Sequence, residues 1–305
     1  MAYQRDNNFF NGWIFILALI LFINGFFFSI GKAEAVPETG RIQVAVSILP
    51  QKFFLEHIGK DLLHVIVMIP PGANPAIYEP KPRQMKLLSN ASMYFAIDVP
   101  FERAWLERFR TVNPRMKVVH TWKGIERYPM SENGHTRKGE IVDPHIWLSP
   151  PLALIQARNM MEALSRQYPE WAETFVSNYE ALAKKIVSLD LSIMKMLGLK
   201  SLSRGGSRAF MVFHPSWGYF ARAYGLRQIP IEQEGKEPKP SQLVRLIRLA
   251  KKMAIKAILV QPQFSAKAAK LVSEATGARL IVADPLALDW DDNLLKVARA
   301  LGECL

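Results

Sequence analysis

Three side chains stand where predicted elements begin or end and could together bind a metal ion: His145, His214 and Asp284. His145 lies in Asp143-Pro144-His145-Ile146-Trp147-Leu148-Ser149-Pro150, directly before a long helical stretch. His214 lies in Val212-Phe213-His214-Pro215-Ser216-Trp217-Gly218, directly after an apolar run that reads as a strand. Asp284 follows another such run, in Val282-Ala283-Asp284-Pro285-Leu286. Two imidazoles and a carboxylate are a nitrogen and oxygen donor set for a transition-metal ion. The three are far apart in sequence and match no compact ligand spacing, so only the fold can bring them together. Of the six histidines, His57, His64 and His120 sit in or beside predicted elements, where a structural or surface role is expected. His135 lies in a polar loop and reads as solvated. The single cysteine, Cys304, excludes an intrachain disulfide and a thiolate metal cluster.

The elements that must position these residues form two alternating sets. Short apolar strands at 42–48, 65–69, 93–97 and 117–120 alternate with helical patterns at 51–58, 82–89 and 101–109. A second set has strands at 209–213, 228–231, 257–260 and 279–282, with helices at 217–224, 241–253, 266–276 and 292–301. Alternation of this kind predicts mostly parallel sheets with helices on both faces. Between the sets, 152–197 repeats apolar residues at helical spacing, interrupted by Pro169, which marks a kink or a new helix start. The expected fold is α/β, with two lobes joined by a long backbone helix. In such sheets the carboxyl ends of strands converge on a binding cleft, and His214 and Asp284 both stand at such ends. Residues 123–142 break the pattern and read as a loop.

Composition sets the outer limits. The 305 residues carry a net charge of +12, but the Lys and Arg residues are scattered. The densest group, Arg245, Arg248, Lys251 and Lys252, falls at helical spacing on a polar face. No basic stretch carries the interleaved aromatics of a single-strand nucleic-acid groove, so no nucleic-acid partner is expected. At the N-terminus, Arg5 precedes the apolar run Trp13–Ile30, and Ala33-Glu34-Ala35 supplies a small-x-small pattern. This is the layout of a secretory signal cleaved after Ala35, with an uncleaved membrane anchor as the alternative. The organisation read from the sequence is a signal peptide over 1–35, a first lobe over 36–150, a linking helix over 151–200 and a second lobe over 201–305. Either processing outcome places the mature chain outside the cytoplasm.

Several strings together resemble the periplasmic zinc- and manganese-binding proteins of ABC importers, the cluster A-I solute-binding family. They are Ser47-Ile48-Leu49-Pro50-Gln51, Pro71-Gly72-Ala73-Asn74-Pro75-Ala76-Ile77-Tyr78-Glu79-Pro80, the Asp143–Pro150 string, Phe213–Phe220, Glu234–Pro238 and Asp284-Pro285-Leu286. The resemblance covers nearly the whole mature chain, in order. It implies two α/β lobes on one rigid helix, a metal bound in the cleft without turnover, and delivery to a permease in the cytoplasmic membrane by a monomeric receptor. It assigns metal ligands to His145, His214 and Asp284, and favours zinc over manganese because imidazole suits zinc. It also marks a departure. The family's first-lobe histidine falls at Ala76, and a methyl group cannot ligate. His135 is then a substitute ligand to consider. Metal affinity is expected to fall as pH drops through the histidine range, because the ligands must be deprotonated. Three protein ligands with an open position also describe catalytic zinc, so an exported zinc-dependent hydrolase is an alternative, with Glu79 the nearest general base by sequence. A degenerate or non-metal binding protein on the same fold is the other.

Overall fold

A computed structural model describes residues 40–130, 142–198, 208–232 and 235–305. The proposed signal segment and His135 lie outside the described residues. Among the described residues, no helix is long and apolar enough to cross a membrane.

The first lobe runs β1 (Ile42–Val46), α1 (Leu49–Gly59), β2 (Leu63–Val67), α2 (Pro82–Leu88), β3 (Met93–Ala96), α3 (Pro100–Val112) and β4 (Lys117–His120). Its four strands are all parallel, in the order β2-β1-β3-β4. The second lobe repeats the scheme with β5 (Ala209–Val212), α6 (Gly218–Ala223), β6 (Arg227–Pro230), α7 (Pro240–Lys252), β7 (Ala257–Val260), α8 (Lys267–Thr276), β8 (Arg279–Val282) and α9 (Trp290–Cys304). Its sheet order, β6-β5-β7-β8, is the same topology, again fully parallel. The central strands β3 and β5 are buried along their whole length. Covered on both faces, they read as continuous apolar runs rather than as alternations.

Between the lobes the expected linking helix resolves into a hairpin, α4 (Pro150–Gln167) and α5 (Ala172–Met196). Pro169 opens a tight helical turn, Pro169–Trp171, that leads into α5. Proline lacks the N–H that a helix interior must donate, so Pro169 starts a helix instead of kinking one. Prolines occupy the first turns of α1, α2, α3, α4 and α7 for the same reason. The long backbone helix is therefore α5. It packs on α1 of the first lobe, on α4, and on α9 of the second lobe.

One apolar core passes through the first lobe, the hairpin and the inner face of the second sheet, where Phe210, Trp217, Phe220 and Leu294 join it. A smaller core lies between the outer face of that sheet and α7 and α8, around Met211, Ile258 and Val272. The lobes are stitched directly as well. Trp290 of α9 meets Phe53 and Phe54 of α1, with ring centres 5.5 and 4.9 Å apart. Its indole donates to the Trp147 carbonyl at 2.8 Å, and the Trp147 indole donates to the Pro285 carbonyl at 2.7 Å. These bonds hold the loop after β8 against the segment that carries His145.

Candidate metal centre

His214 follows β5, and His145 enters the turn Ile146–Leu148 ahead of α4. The fold brings the two imidazoles together, with ring centres 5.4 Å apart and planes at 70°. Two imidazoles sharing one tetrahedral zinc ion at roughly 2.0–2.1 Å have ring centres about 5 Å apart. The observed spacing thus fits two ligands to one ion.

Each ring is held by a carboxylate. Nδ1 of His145 lies 2.7 Å from Asp143 Oδ1, which also accepts the His145 backbone N–H at 2.9 Å. Nδ1 of His214 lies 2.9 Å from Glu232 Oε1. A carboxylate accepts only from a protonated Nδ1, so each pair leaves Nε2 with its lone pair free. Burial lowers the His145 pKa, opposed by the Asp143 carboxylate, which favours the neutral ring that ligates metal. The His214 ring stacks on Phe264 at 4.9 Å between centres. Its backbone N–H is received by Gln261 Oε1 at 3.0 Å. Asp143 itself fits because residue 218 is glycine. A Cβ there would sit 3.0 Å from Asp143 Oδ2 and 2.9 Å from Gln228 Nε2.

Both imidazoles face a cavity of about 190 Å³ between the lobes. Its second-lobe wall includes Gln263, Phe264 and Pro285, and its first-lobe wall includes Ala76, Ile77, Val99 and Arg103. Asp284 does not line this space. Its Oδ1 accepts Gln263 Nε2 at 2.7 Å and the Leu286 N–H at 2.9 Å. Among the described residues, no three His, Cys, Asp or Glu side chains are placed to share one ion. The structure thus brings together His145 and His214 of the three expected ligands, while Asp284 is engaged by Gln263. Gln263 Oε1 is buried with no hydrogen-bond partner among the described residues. Glu79 is exposed and lines no part of the cavity. His57 is occupied with the Phe53 carbonyl, and His120 lies against Trp122 at the far end of β4.

Sequence reasoning missed Asp143, Glu232, Gln263 and Arg103. Asp143 had a visible signal, because an Asp two residues before a His, with a proline between, can turn back onto it. Glu232 follows β6 at the same sheet end as His214 and Asp284, so the rule that ligands gather at strand carboxyl ends would have found it. Arg103 lies inside a helix and carried no signal.

Comparison with known proteins bears on the family and the fold. The family profile described as zinc-uptake complex component A, periplasmic, matches residues 44–303. The zinc-binding protein AdcA of Streptococcus pyogenes serotype M1 is 26% identical over 295 residues, covering 89% of this chain and 56% of its own length. The chain thus spans little more than half of that relative. The high-affinity zinc uptake system protein ZnuA of Bacillus subtilis (strain 168) is 26% identical over 287 residues, covering 90% of this chain and 88% of its own. A crystal structure of a ZnuA deletion mutant with zinc bound superposes with a TM-score of 0.79 at 38% identity, over 87% of this chain and 98% of that one.

Proposed function

The chain belongs to the family of periplasmic zinc-uptake complex component A, and from that premise we propose that it is the extracytoplasmic zinc receptor of an ABC importer. It captures the ion between its lobes and passes it to a permease in the cytoplasmic membrane without chemical turnover. The observation that carries the reading is the pair of carboxylate-backed imidazoles, 5.4 Å between ring centres, at the joint of the two lobes. His145 and His214 supply nitrogen ligands, and Asp284 supplies the oxygen ligand once it exchanges the Gln263 amide for the ion. Two imidazoles favour zinc over manganese. An N-terminal signal peptide over residues 1–35, export to the periplasm and a monomeric receptor complete the proposal.

Calorimetric titration of the metal-free protein with zinc and with manganese tests it. Zinc binding tighter than about 10 μM, and tighter than manganese, is the expected result. His214→Ala should weaken zinc binding by more than about 100-fold. Binding weaker than that limit, or an unaffected His214→Ala variant, would sink the receptor reading. Zinc-dependent hydrolysis across a substrate panel would replace it with the enzyme reading.

A further inference from the structure

One charged surface has no part in metal capture. Residues 239–274 hold eight Lys and Arg against a single acid, Glu274, and so carry +7 of the chain's +12. Six of the eight lie on or beside α7: Lys239, Arg245, Arg248, Lys251, Lys252 and Lys256. The other two, Lys267 and Lys270, stand in the first turn of α8. All eight are exposed. The fold gathers them on one side of the second lobe. α7 and α8 pack on each other and bury Leu246, Ala250, Ala269 and Val272 against the outer face of the sheet. Their opposite faces therefore meet solvent together.

Helix stability does not account for this pattern. α7 contains no Asp or Glu. Arg245 and Arg248 stand three residues apart, and Arg248 and Lys252 four, where like charges repel. Lys251 and Lys252 answer the carbonyl end of α7, but Arg245 and Arg248 lie too far from it to do so. Lys267 and Lys270 sit at the N-terminal end of α8, where the helix dipole disfavours cations. Among the described residues, none of the eight forms an ion pair. On α4, by contrast, Arg158 and Arg166 share Glu162 at 3.7 and 3.5 Å.

The side chains between the cations narrow the kind of partner. Val244 and Leu249 on α7 and Leu271 on α8 are exposed. The only aromatic ring over 239–274 is Phe264, which stacks on His214. A single-strand nucleic-acid surface stacks bases on interleaved aromatics, and this face offers none. Unpaired Lys and Arg with aliphatic side chains among them suit phosphate headgroups above an acyl layer.

We infer that the α7–α8 face docks the chain on an anionic phospholipid bilayer. The cations meet lipid phosphates, while Val244, Leu249 and Leu271 rest among the headgroups. The contact is peripheral, since both helices remain packed on their own sheet. The inference goes beyond metal capture and does not depend on it. For the proposed receptor, it holds the chain at a membrane surface, where a permease is to be met.

Sedimentation with lipid vesicles tests it. The full chain is mixed with vesicles of phosphatidylcholine alone, or of equal parts phosphatidylcholine and phosphatidylglycerol, in about 0.1 M salt. The ratio of the two affinities is read, so that insertion of the apolar run 13–30, which is indifferent to lipid charge, cancels. The ratio should exceed about 100 and fall toward one as salt rises to about 0.5 M. Each basic residue at an anionic surface strengthens binding by roughly fivefold. Arg245→Gln, Arg248→Gln, Lys251→Gln and Lys252→Gln together should therefore lower the ratio by more than about 30-fold. Neutralising Arg158, Arg166, Lys184 and Lys195 to Gln instead should change it by less than about threefold. An unchanged thermal midpoint and zinc affinity show that the first variant is folded. If its midpoint falls, Lys267→Gln with Lys270→Gln carries the same test, with a loss of more than about fivefold expected. A ratio near one for the unmodified chain, or equal losses in the two four-site variants, would overturn the inference. A DNA duplex bound as tightly as the anionic vesicles at the same salt would reassign the face to polyanions in general, and would overturn it too. None of these results bears on the zinc titration, so the receptor reading stands or falls separately.

Discussion

At the scale of single residues, metal capture by the proposed receptor rests on which nitrogen of each histidine stays free. Asp143 and Glu232 decide that by accepting from Nδ1. Glu232→Gln should weaken zinc binding by about 10–100-fold, since loss of a carboxylate behind a ligating histidine has effects of that size. Calorimetry on the variant checks this, and a change below threefold would show that the Glu232 contact is dispensable. A second prediction concerns Glu102, which accepts from the Ser47 hydroxyl and from the Ile97 and Asp98 N–H groups. Burial pushes its pKa up to about 7, with the Ser47 hydroxyl and the backbone N–H groups opposing. A carboxyl whose pKa is higher in the folded chain than in the unfolded one holds its proton more tightly when folded. Its stabilising effect is complete below the ordinary carboxylate range and is lost as pH rises through about 7. Thermal midpoints measured from about pH 5 to about pH 8 should therefore fall, and Glu102→Gln should flatten that slope. The sequence showed His145 and His214 because they sit at element ends beside prolines and aromatics. It could not show that Asp284 would be bonded to Gln263, because both follow strands and the choice between ion and amide is made by side-chain packing.

Elements were easier to read than contacts. The eight strands among the described residues overlap the runs predicted for them, and the central strands β3 and β5, covered on both faces, have no polar alternation to confuse. The largest shift of a start is at β2, which begins at Leu63 and not at Val65. His64 hid its beginning, a half-exposed polar residue between the buried Leu63 and Val65. Pro169 was ambiguous because a proline fits both a kink and a first turn, and only packing of α5 back along α4 distinguishes them. The start of α6 links element to site. Gly218→Ala places a methyl against Gln228 Nε2 and Asp143 Oδ2, which should cost about 1–3 kcal/mol by overpacking. Because Asp143 orients His145, the same variant should also bind zinc more weakly. Denaturant unfolding and calorimetry on one preparation check both effects. Lost stability with unchanged zinc affinity would show that Asp143 gives way without disturbing the ring.

For the whole molecule, the two lobes are one structure. A single apolar core crosses from lobe to lobe, and Trp290 fills the seam between α1 and α9. Trp290→Ala should cost about 3–5 kcal/mol, and both lobes should still melt in one transition. Two separated transitions in calorimetry would mean that the lobes fold independently. The shared core also has a kinetic meaning. A receptor whose halves swing apart must pay to populate its competent state, which lowers apparent affinity by the fraction so populated. Halves joined by buried tryptophans have almost no such fraction to recover. In the proposed receptor the ion then meets two imidazoles already in place, and Asp284 has only to give up its Gln263 amide. Release cannot be triggered by simply letting the halves drift open. In the proposed receptor, the recipient then has to supply competing donors or prise the site itself, so the timing of handover belongs to the recipient and not to the carrier.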